Sequence, residues 1–199
     1  AKESLEWLIK SPEYETWIND KSGASLWLYG PPGNGKTFAA AYVLKSLSKY
    51  PIYTKKRLVA SIFCSPNDSD MGLVTSLALQ LIAQDENRAH TAQEKMAVAD
   101  FQNGMHTDEE MTRNMWKLFE TLIMTGSNYE TVIIIDGIDE PDIRMRTPFL
   151  ENFCALQANV QGSAVIRVLI TSRPYADIKK ILAHYPSIDR DSERKGKQF

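Results

Sequence analysis

The pattern of hydrophobic and polar positions divides the chain into two kinds of segment. Short apolar runs rich in β-branched or aromatic residues are typical of buried strands, and longer segments with apolar residues every three or four positions are typical of helices. Strands are predicted at Ser25–Tyr29, 58–64, 131–136, 165–171 and Ser187–Asp189. Helices are predicted at 36–49, 71–83, from Thr107 onward, at 144–160, and from Pro174 through Ala183.

Polar residues mark where several of these helices begin. Ser11 followed by Pro12 is typical of a helix start, and Thr107 with Glu110 forms a capping-box pattern. A further short helix is expected before Ser11. The polar stretch 84–106 has little periodicity, and only a short helix at 93–101 is predicted within it.

Strands that alternate with helices predict an α/β fold, with a parallel sheet covered by helices on both faces. The expected organisation is an N-terminal helical segment packing on the core (1–24), a core domain (25–189) and a charged tail (190–199). In such sheets ligands bind at the carboxyl ends of the strands.

Composition and charge narrow the function classes. The 199 residues suffice for one core, with 43% hydrophobic and 24% charged residues. Twenty-three basic and 25 acidic residues give a net charge of −2, which provides no basic footprint for nucleic acid. No segment predicts a membrane span or a secretory signal, and two distant cysteines indicate reduced thiols, so a cytoplasmic location is expected. Because the chain begins at Ala1, we expect a piece of a longer protein.

One segment matches a phosphate-binding pattern without departure. Residues 30–37 read GPPGNGKT, between a predicted strand and a predicted helix, as G-x-x-x-x-G-K-[ST] requires. Glycines allow backbone N–H groups to surround phosphate oxygens, Lys36 adds a full charge, and the Thr37 hydroxyl is suited to Mg²⁺. The candidate nucleotide-binding residues are Gly30, Pro31, Pro32, Gly33, Asn34, Gly35, Lys36, Thr37 and Phe38.

Acidic residues follow the third strand. Asp136 ends that strand and is the candidate metal-side acid, acting through water. Asp139 and Glu140 come next, and either of them is a candidate for orienting or deprotonating a water that attacks the terminal phosphate. Arg173, just past the fourth strand, is placed to contact that phosphate. Tyr14 and Trp17 precede the first strand and could flank a base, although helix packing is the favoured interpretation.

With these three motifs in order, the chain resembles the NACHT family of STAND-class P-loop NTPases. Asp136-Gly137-Ile138-Asp139-Glu140 resembles the family's acidic motif, and Thr171-Ser172-Arg173 its sensor-1 motif. Residues 11–20 and 58–68 resemble fungal members, including NOD-like receptor, heterokaryon-incompatibility and nephrocystin-like types.

The resemblance implies a three-layer sheet of order 5-1-4-3-2. It also implies slow hydrolysis of ATP or GTP with Mg²⁺, to ADP or GDP, and a nucleotide switch for signalling in innate immunity or programmed cell death. Self-association through this domain is implied for the full-length protein. The family's lid, winged-helix, effector and repeat domains are absent from this chain.

Two other functions fit the phosphate-binding motif. An AAA+-type ATPase motor would usually carry Glu directly after Asp136, where this chain has Gly137. A nucleotide-binding interaction module with negligible turnover is the second alternative. A nucleotide kinase is weaker, because no acceptor-site pattern is visible.

Overall fold

Five parallel strands form one sheet. The computed structural model describes residues 5–47, 56–102, 107–125, 129–160 and 164–195. Strand order is β2-β3-β4-β1-β5, which is the predicted order read from the other edge, so the expected fold class is confirmed. The strands are β1 Ser25–Tyr29, β2 Lys56–Phe63, β3 Tyr129–Asp136, β4 Val165–Ser172 and β5 Ser187–Asp189.

Helices cover both faces of this sheet. They are α1 Glu6–Ile9, α2 Pro12–Asn19, α3 Lys36–Leu47, α4 Asp70–Gln84, α5 Glu86–Gln102, α6 Asp108–Met124, α7 Ile143–Val160, α8 Ala176–Ile181 and α9 Arg190–Lys195. The predicted caps are present, because the Ser11 side chain accepts from the Tyr14 N–H and Thr107 forms a capping box with Glu110. None of the helices in these ranges is long and apolar enough to cross a membrane.

Alternate residues of the strands pack into two separate hydrophobic cores, one on each face of the sheet. Leu26 and Leu28 of β1 pack with Val132 and Ile134 of β3 beneath α1, α2 and α3. Trp27 faces the opposite side and joins the cluster formed with α4, α6 and α7. Because β3 is buried on both faces, four consecutive residues of this strand are apolar, without the alternation of apolar and polar residues seen in strands with one face in water.

The two aromatic residues considered for base binding belong to the packing of α2. Trp17 is 1% exposed and donates its indole N–H to the Val168 carbonyl at 2.8 Å. Tyr14 is also buried, 5.7 Å from Trp17 between ring centroids. Tyr14 and Trp17 therefore serve in helix packing, which was the favoured interpretation.

The polar stretch after α4 differs from the prediction. α5 is a single 17-residue helix that begins at Glu86. The predicted helix at 93–101 is therefore too short, and its predicted start is wrong. The buried anchors of α5 within 86–96 are Ala92 and Arg88, and the Arg88 guanidinium donates to the Leu122 carbonyl and to Asp85. An arginine that serves as a core anchor leaves no apolar stripe in the sequence, because its type indicates a surface position.

Two glutamines cover the β2 edge of the sheet. Gln84 donates to the Val59 carbonyl at 2.8 Å and accepts from the Val59 N–H at 3.0 Å. One helical turn earlier, Gln80 makes the same pair of bonds to Ser61, both at 2.9 Å. These side chains take the place of a neighbouring strand.

A buried ion triad ties the amino ends of three strands. Glu130 of β3 accepts from Arg57 of β2 at 2.7 Å and from Arg167 of β4 at 2.9 Å. Arg167 also donates to the Asp20 carbonyl at 2.6 Å. This triad lies at the end of the sheet opposite the phosphate-binding motif.

Candidate functional site

The loop 30–37 joins the end of β1 to the start of α3. Gly33 and Gly35 have φ angles of 73° and 76°, which L side chains rarely adopt. Gly30 is restricted by space, because an added Cβ would lie 2.9 Å from the Cβ of Arg190. The two glycines that the pattern fixes, Gly30 and Gly35, and the additional Gly33 therefore each meet a requirement of the backbone.

The Lys36 ammonium lies against its own loop. Its Nζ donates to the Gly30 carbonyl at 2.8 Å and to the Pro31 carbonyl at 2.9 Å. Burial lowers the pKa of Lys36 below its ordinary value, and the negative charge of Asp139 is the largest influence opposing that shift. The negative charges of Asp136 and Glu140 also raise the pKa of Lys36. The three acids at the end of β3 are therefore close enough to Lys36 to interact with its charge.

The remaining loop residues differ in exposure. Asn34 is buried, whereas Pro31, Pro32, Thr37 and Phe38 are exposed. Half of the Phe38 surface is accessible at the first turn of α3. A hydroxyl and an aromatic ring are thus both presented to solvent beside the loop.

Asp136 is buried at the tip of β3 and is held by the neighbouring strand. The Thr171 hydroxyl donates to Asp136 Oδ1 at 2.5 Å and accepts from the Gly137 N–H at 3.0 Å. Gly137 has a φ of 73°, which turns the chain sharply after the strand. The turn directs the following acids toward β4.

Asp139, Glu140 and Arg173 form one charged cluster. Arg173 donates from its backbone N–H to Asp139 Oδ1 at 2.9 Å, and from Nε to Asp139 Oδ2 at 2.6 Å. Its Nη2 donates to Glu140 at 3.0 Å. These hydrogen bonds raise the pKa of Arg173. Asp139 is buried and Glu140 is exposed to 41% of its side chain, so Glu140 is the acid more accessible to water.

Four residues of this region were missed in the sequence. Arg146 of α7 donates to the carbonyls of Asp139 and Pro141, and it pairs with Asp177 of α8. Tyr175 lies near the guanidinium groups of both Arg146 and Arg173. Their spacing matches no motif, because the contacts depend on how α7 and α8 pack.

The fourth, Arg190, begins α9 and reaches the phosphate loop. Its Nε donates to the Asn34 carbonyl at 3.2 Å, and its Cζ lies 3.7 Å from the centroid of a Trp7 ring. The sequence placed residue 190 in a charged tail beyond the core. Residues 190–195 are instead helical, and their first side chain packs on the loop.

The residues at this edge fit a magnesium ion bound together with a nucleotide. The described residues hold no group of three or more His, Cys, Asp or Glu side chains able to bind a metal alone. Mg²⁺ usually takes one or two protein oxygens, with water and substrate phosphates as its other ligands. The exposed Thr37 hydroxyl and the Asp136 carboxylate match that requirement.

Comparison with known proteins adds an independent line of evidence. The family model described as "Nephrocystin 3, N-terminal" matches residues 3–173. The vegetative incompatibility protein HET-E-1 of Podospora anserina is 23% identical over 188 residues, covering 91% of this chain. The chain spans only 13% of that relative's length.

Solved structures with a similar fold include two archaeal proteins. Cdc6p from Pyrobaculum aerophilum has a TM-score of 0.51 at 13% identity, covering 94% of this chain and 43% of that one. ORC2 of Aeropyrum pernix, in ADPNP–ADP complexes, has a TM-score of 0.53 at 11% identity, with coverages of 88% and 45%. Drosophila ORC bound to DNA has a TM-score of 0.50 at 15% identity, with coverages of 92% and 43%. At these identities the likeness shows the fold alone.

Proposed function

Because the chain belongs to the nephrocystin 3 N-terminal family, whose model spans residues 3–173, we propose that it is the nucleotide switch of a larger signalling receptor. The NACHT-type identification is confirmed by this family and by the HET-E-1 relative, and the chain is a nucleotide-binding domain of the P-loop NTPase class. The ligand is ATP or GTP with Mg²⁺. The observation that carries the proposal is the convergence of Lys36, Asp136, Asp139, Glu140 and Arg173 at one edge of the sheet.

The phosphate loop supplies binding. Backbone N–H groups at the start of α3 attract phosphate oxygens, and the helix adds its positive end. Lys36 moves from the carbonyls of Gly30 and Pro31 to the β- and γ-phosphates. This exchange replaces two neutral acceptors with charged ones, which favours the bound state.

The acids and Arg173 supply slow hydrolysis. Thr37 and Asp136 would hold Mg²⁺, which neutralises charge on the phosphates when bound. Glu140 orients the attacking water and takes its proton, and Asp139 keeps Arg173 in place. Arg173 contacts the terminal phosphate, so its pairing with the two acids changes with the nucleotide.

Gly137 favours this proposal over a motor of the AAA+ type. Such a motor would usually carry Glu at this position, directly after the strand acid. At a φ of 73° a glutamate would be strained, so the turn as built suits glycine. The proposal also includes self-association in the full-length protein and effector and repeat domains elsewhere in it. It further includes a cytoplasmic location and the absence of nucleic-acid binding.

Calorimetric titration with ATP and with GTP, each in the presence and in the absence of Mg²⁺, tests nucleotide binding. Saturable binding of one nucleotide is expected, and Lys36→Ala should weaken it by roughly 2–5 kcal/mol because a charged partner of the phosphates is lost. Arg113→Ala, an exposed arginine on α6, is the control and should bind like the wild type. Equal affinities in wild type and Lys36→Ala would remove the proposed site.

Turnover by Glu140→Gln tests hydrolysis separately. The amide cannot accept the proton of the attacking water, so phosphate release should fall about 100-fold while binding is retained. If the variant keeps wild-type turnover, Asp139 takes the role of the base. If the wild type binds nucleotide without measurable turnover, the chain is a nucleotide-stabilised interaction module.

A further inference from the structure

Arg146 makes contacts that the hydrolysis scheme above does not use. It lies in the first turn of α7, and one nitrogen, Nη1, donates to the Asp139 carbonyl at 3.2 Å and to the Pro141 carbonyl at 3.0 Å. The residue between those two carbonyls is Glu140. One guanidinium group therefore holds the two backbone positions that flank the proposed base.

The other side of the same guanidinium binds the segment after β4. Nε and Nη2 donate to the two carboxylate oxygens of Asp177 at 2.8 and 3.2 Å, in the bidentate geometry that gives arginine its directional strength. The side chains of Arg146 and Asp177 are only 11% and 19% exposed, so water screens this pair weakly. Asp177 is the second residue of α8, four residues after Arg173.

Tyr175 completes the connection to Arg173. The Cζ of Arg146 lies 5.2 Å from the centroid of the Tyr175 ring, and the Cζ of Arg173 lies 5.7 Å from the same centroid. Both distances are within the range of cation–π attraction. The loop bearing the acids and the loop bearing Arg173 are thus joined directly, through Asp139 and Glu140, and indirectly, through Arg146.

We infer that Arg146, with Asp177, is a positioning residue that fixes the loop bearing Glu140 relative to Arg173 and so sets the response to the terminal phosphate. This inference rests on the proposed function. Arg146 contacts carbonyls and Asp177, and it is not itself a catalytic residue. Its loss should affect the triphosphate response and leave binding through the phosphate loop intact.

The neighbouring residue Arg144 provides a matched control. It lies in the same turn of α7 and pairs with Asp142, but its side chain is 83% exposed. Arg144→Met and Arg146→Met therefore remove the same group from the same turn. They differ in whether that group holds the loop.

The experiment measures three quantities for the wild type and both variants. The first is the Kd for ADP or GDP, whichever carries the base that the wild type prefers. The second is the Kd for the β,γ-imido analogue of the corresponding triphosphate, and the third is kcat for hydrolysis of that triphosphate. For Arg146→Met we expect a diphosphate Kd within about twofold of wild type, with the triphosphate preference and kcat each reduced about tenfold, since small misplacements of catalytic groups have effects of this size or larger. Arg144→Met should match the wild type in all three. If Arg146→Met does the same, the inference is overturned.

A charge exchange separates positioning from simple ion pairing. The double variant Arg146→Asp with Asp177→Arg restores opposite charges but places a carboxylate against the carbonyls of Asp139 and Pro141. We expect no recovery of kcat or of the triphosphate preference, and full recovery would overturn the positioning role.

The variant Asp177→Asn keeps the test valid if Arg146→Met does not fold. It replaces one carboxylate oxygen with an amide NH₂ and retains the other oxygen as an acceptor for Arg146. It should shift the triphosphate preference in the same direction by about threefold, as expected for a weakened charged hydrogen bond. An unchanged preference would overturn the inference. A wild type that binds no nucleotide would overturn the proposed function itself, and diphosphate binding distinguishes that failure from failure of this inference.

Discussion

At the scale of single residues, the charged groups of the site are held by one another and by backbone carbonyls. Lys36 lies on the carbonyls of its own loop, and Arg173 is shared between Asp139 and Glu140. A phosphate must compete with these internal partners. The cost of that competition favours ligands that offer several negative oxygens at once.

Arg173 is where this competition can be measured. On the role proposed for Arg173, Arg173→Ala removes a contact that only a terminal phosphate makes, so the ratio of diphosphate Kd to triphosphate Kd should fall about tenfold or more. Titration with both nucleotides at one Mg²⁺ concentration gives the ratio. Arg144→Ala is the control, and a ratio equal to that of this control would make Arg173 a structural residue only.

Asp177 provides a pH-dependent measurement of the positioning pair. Hydrogen bonds from Arg146 hold the pKa of Asp177 below the ordinary value of 3.8. A lowered pKa means that the unfolded chain binds the proton more tightly, so this stabilisation is complete above pH 3.8 and is lost as the pH falls through the lower folded pKa.

The difference in unfolding free energy between wild type and Asp177→Asn should therefore be about 1–2 kcal/mol at pH 7 and should shrink below pH 4. Urea titrations at several pH values measure it. A difference that stays constant or grows on acidification would contradict the assignment.

The sequence indicated the individual site residues but not their partners. These residues are the phosphate motif, Asp136, Asp139, Glu140 and Arg173. They lie at or just after the carboxyl ends of strands, and those ends meet at one edge of a parallel sheet. Arg146, Asp177 and Arg190 have no such rule, because their contacts depend on helix packing angles that residue spacing does not encode.

At the scale of elements, patterning predicted the strands more closely than the polar helices. β1 and β5 have the predicted bounds, and the other strands differ from them by at most two residues at either end. The predicted α5 was too short because Arg88 is one of its buried residues. In the sequence, a buried arginine cannot be distinguished from an arginine that faces solvent. The predicted end of the 36–49 helix falls in residues 48–55, outside the described residues.

The glutamine pair on α4 leads to an element-scale prediction. Replacing Gln80 and Gln84 with Ala removes four hydrogen bonds from the edge of β2, so unfolding free energy should fall by about 1 kcal/mol for each residue. The exposed edge groups should also increase self-association at high protein concentration.

Urea unfolding and sedimentation velocity measure these two effects. Gln93→Ala, at an exposed position of α5, is the matched control. A double variant that is as stable and as dispersed as this control would show that solvent already satisfies the edge.

At the scale of the whole molecule, distant parts of the chain meet on the phosphate loop. α1 contributes Trp7, the loop contributes Gly30 and Asn34, and α9 contributes Arg190, which contacts all three. Movement of α9 therefore changes the environment of the loop directly, and movement of α1 changes it through Arg190. This contact crosses the expected boundary between the core at 25–189 and the tail at 190–199, a division that remains a proposal.

Arg190→Ala tests the connection. Without the bond to the Asn34 carbonyl the loop is less preorganised, so nucleotide affinity should fall about three- to tenfold with Mg²⁺ dependence retained. Calorimetry against Arg113→Ala as control measures the change. An affinity equal to that control would confine Arg190 to a packing role.

The buried triad of Arg57, Glu130 and Arg167 has a mechanical consequence for the sheet. It links the amino ends of β2, β3 and β4, while the carboxyl ends of β3 and β4 carry the hydrogen bond from Thr171 to Asp136. β3 has eight residues and so is about 23 Å long at roughly 3.3 Å per residue. Because β3 pairs with β2 and β4 along its length, the three strands tilt together. A tilt of about 5° about the triad moves the far end of β3 by about 2 Å, which is close to the H···O length of a hydrogen bond, so a small angular change is enough to exchange one bond at the site for another.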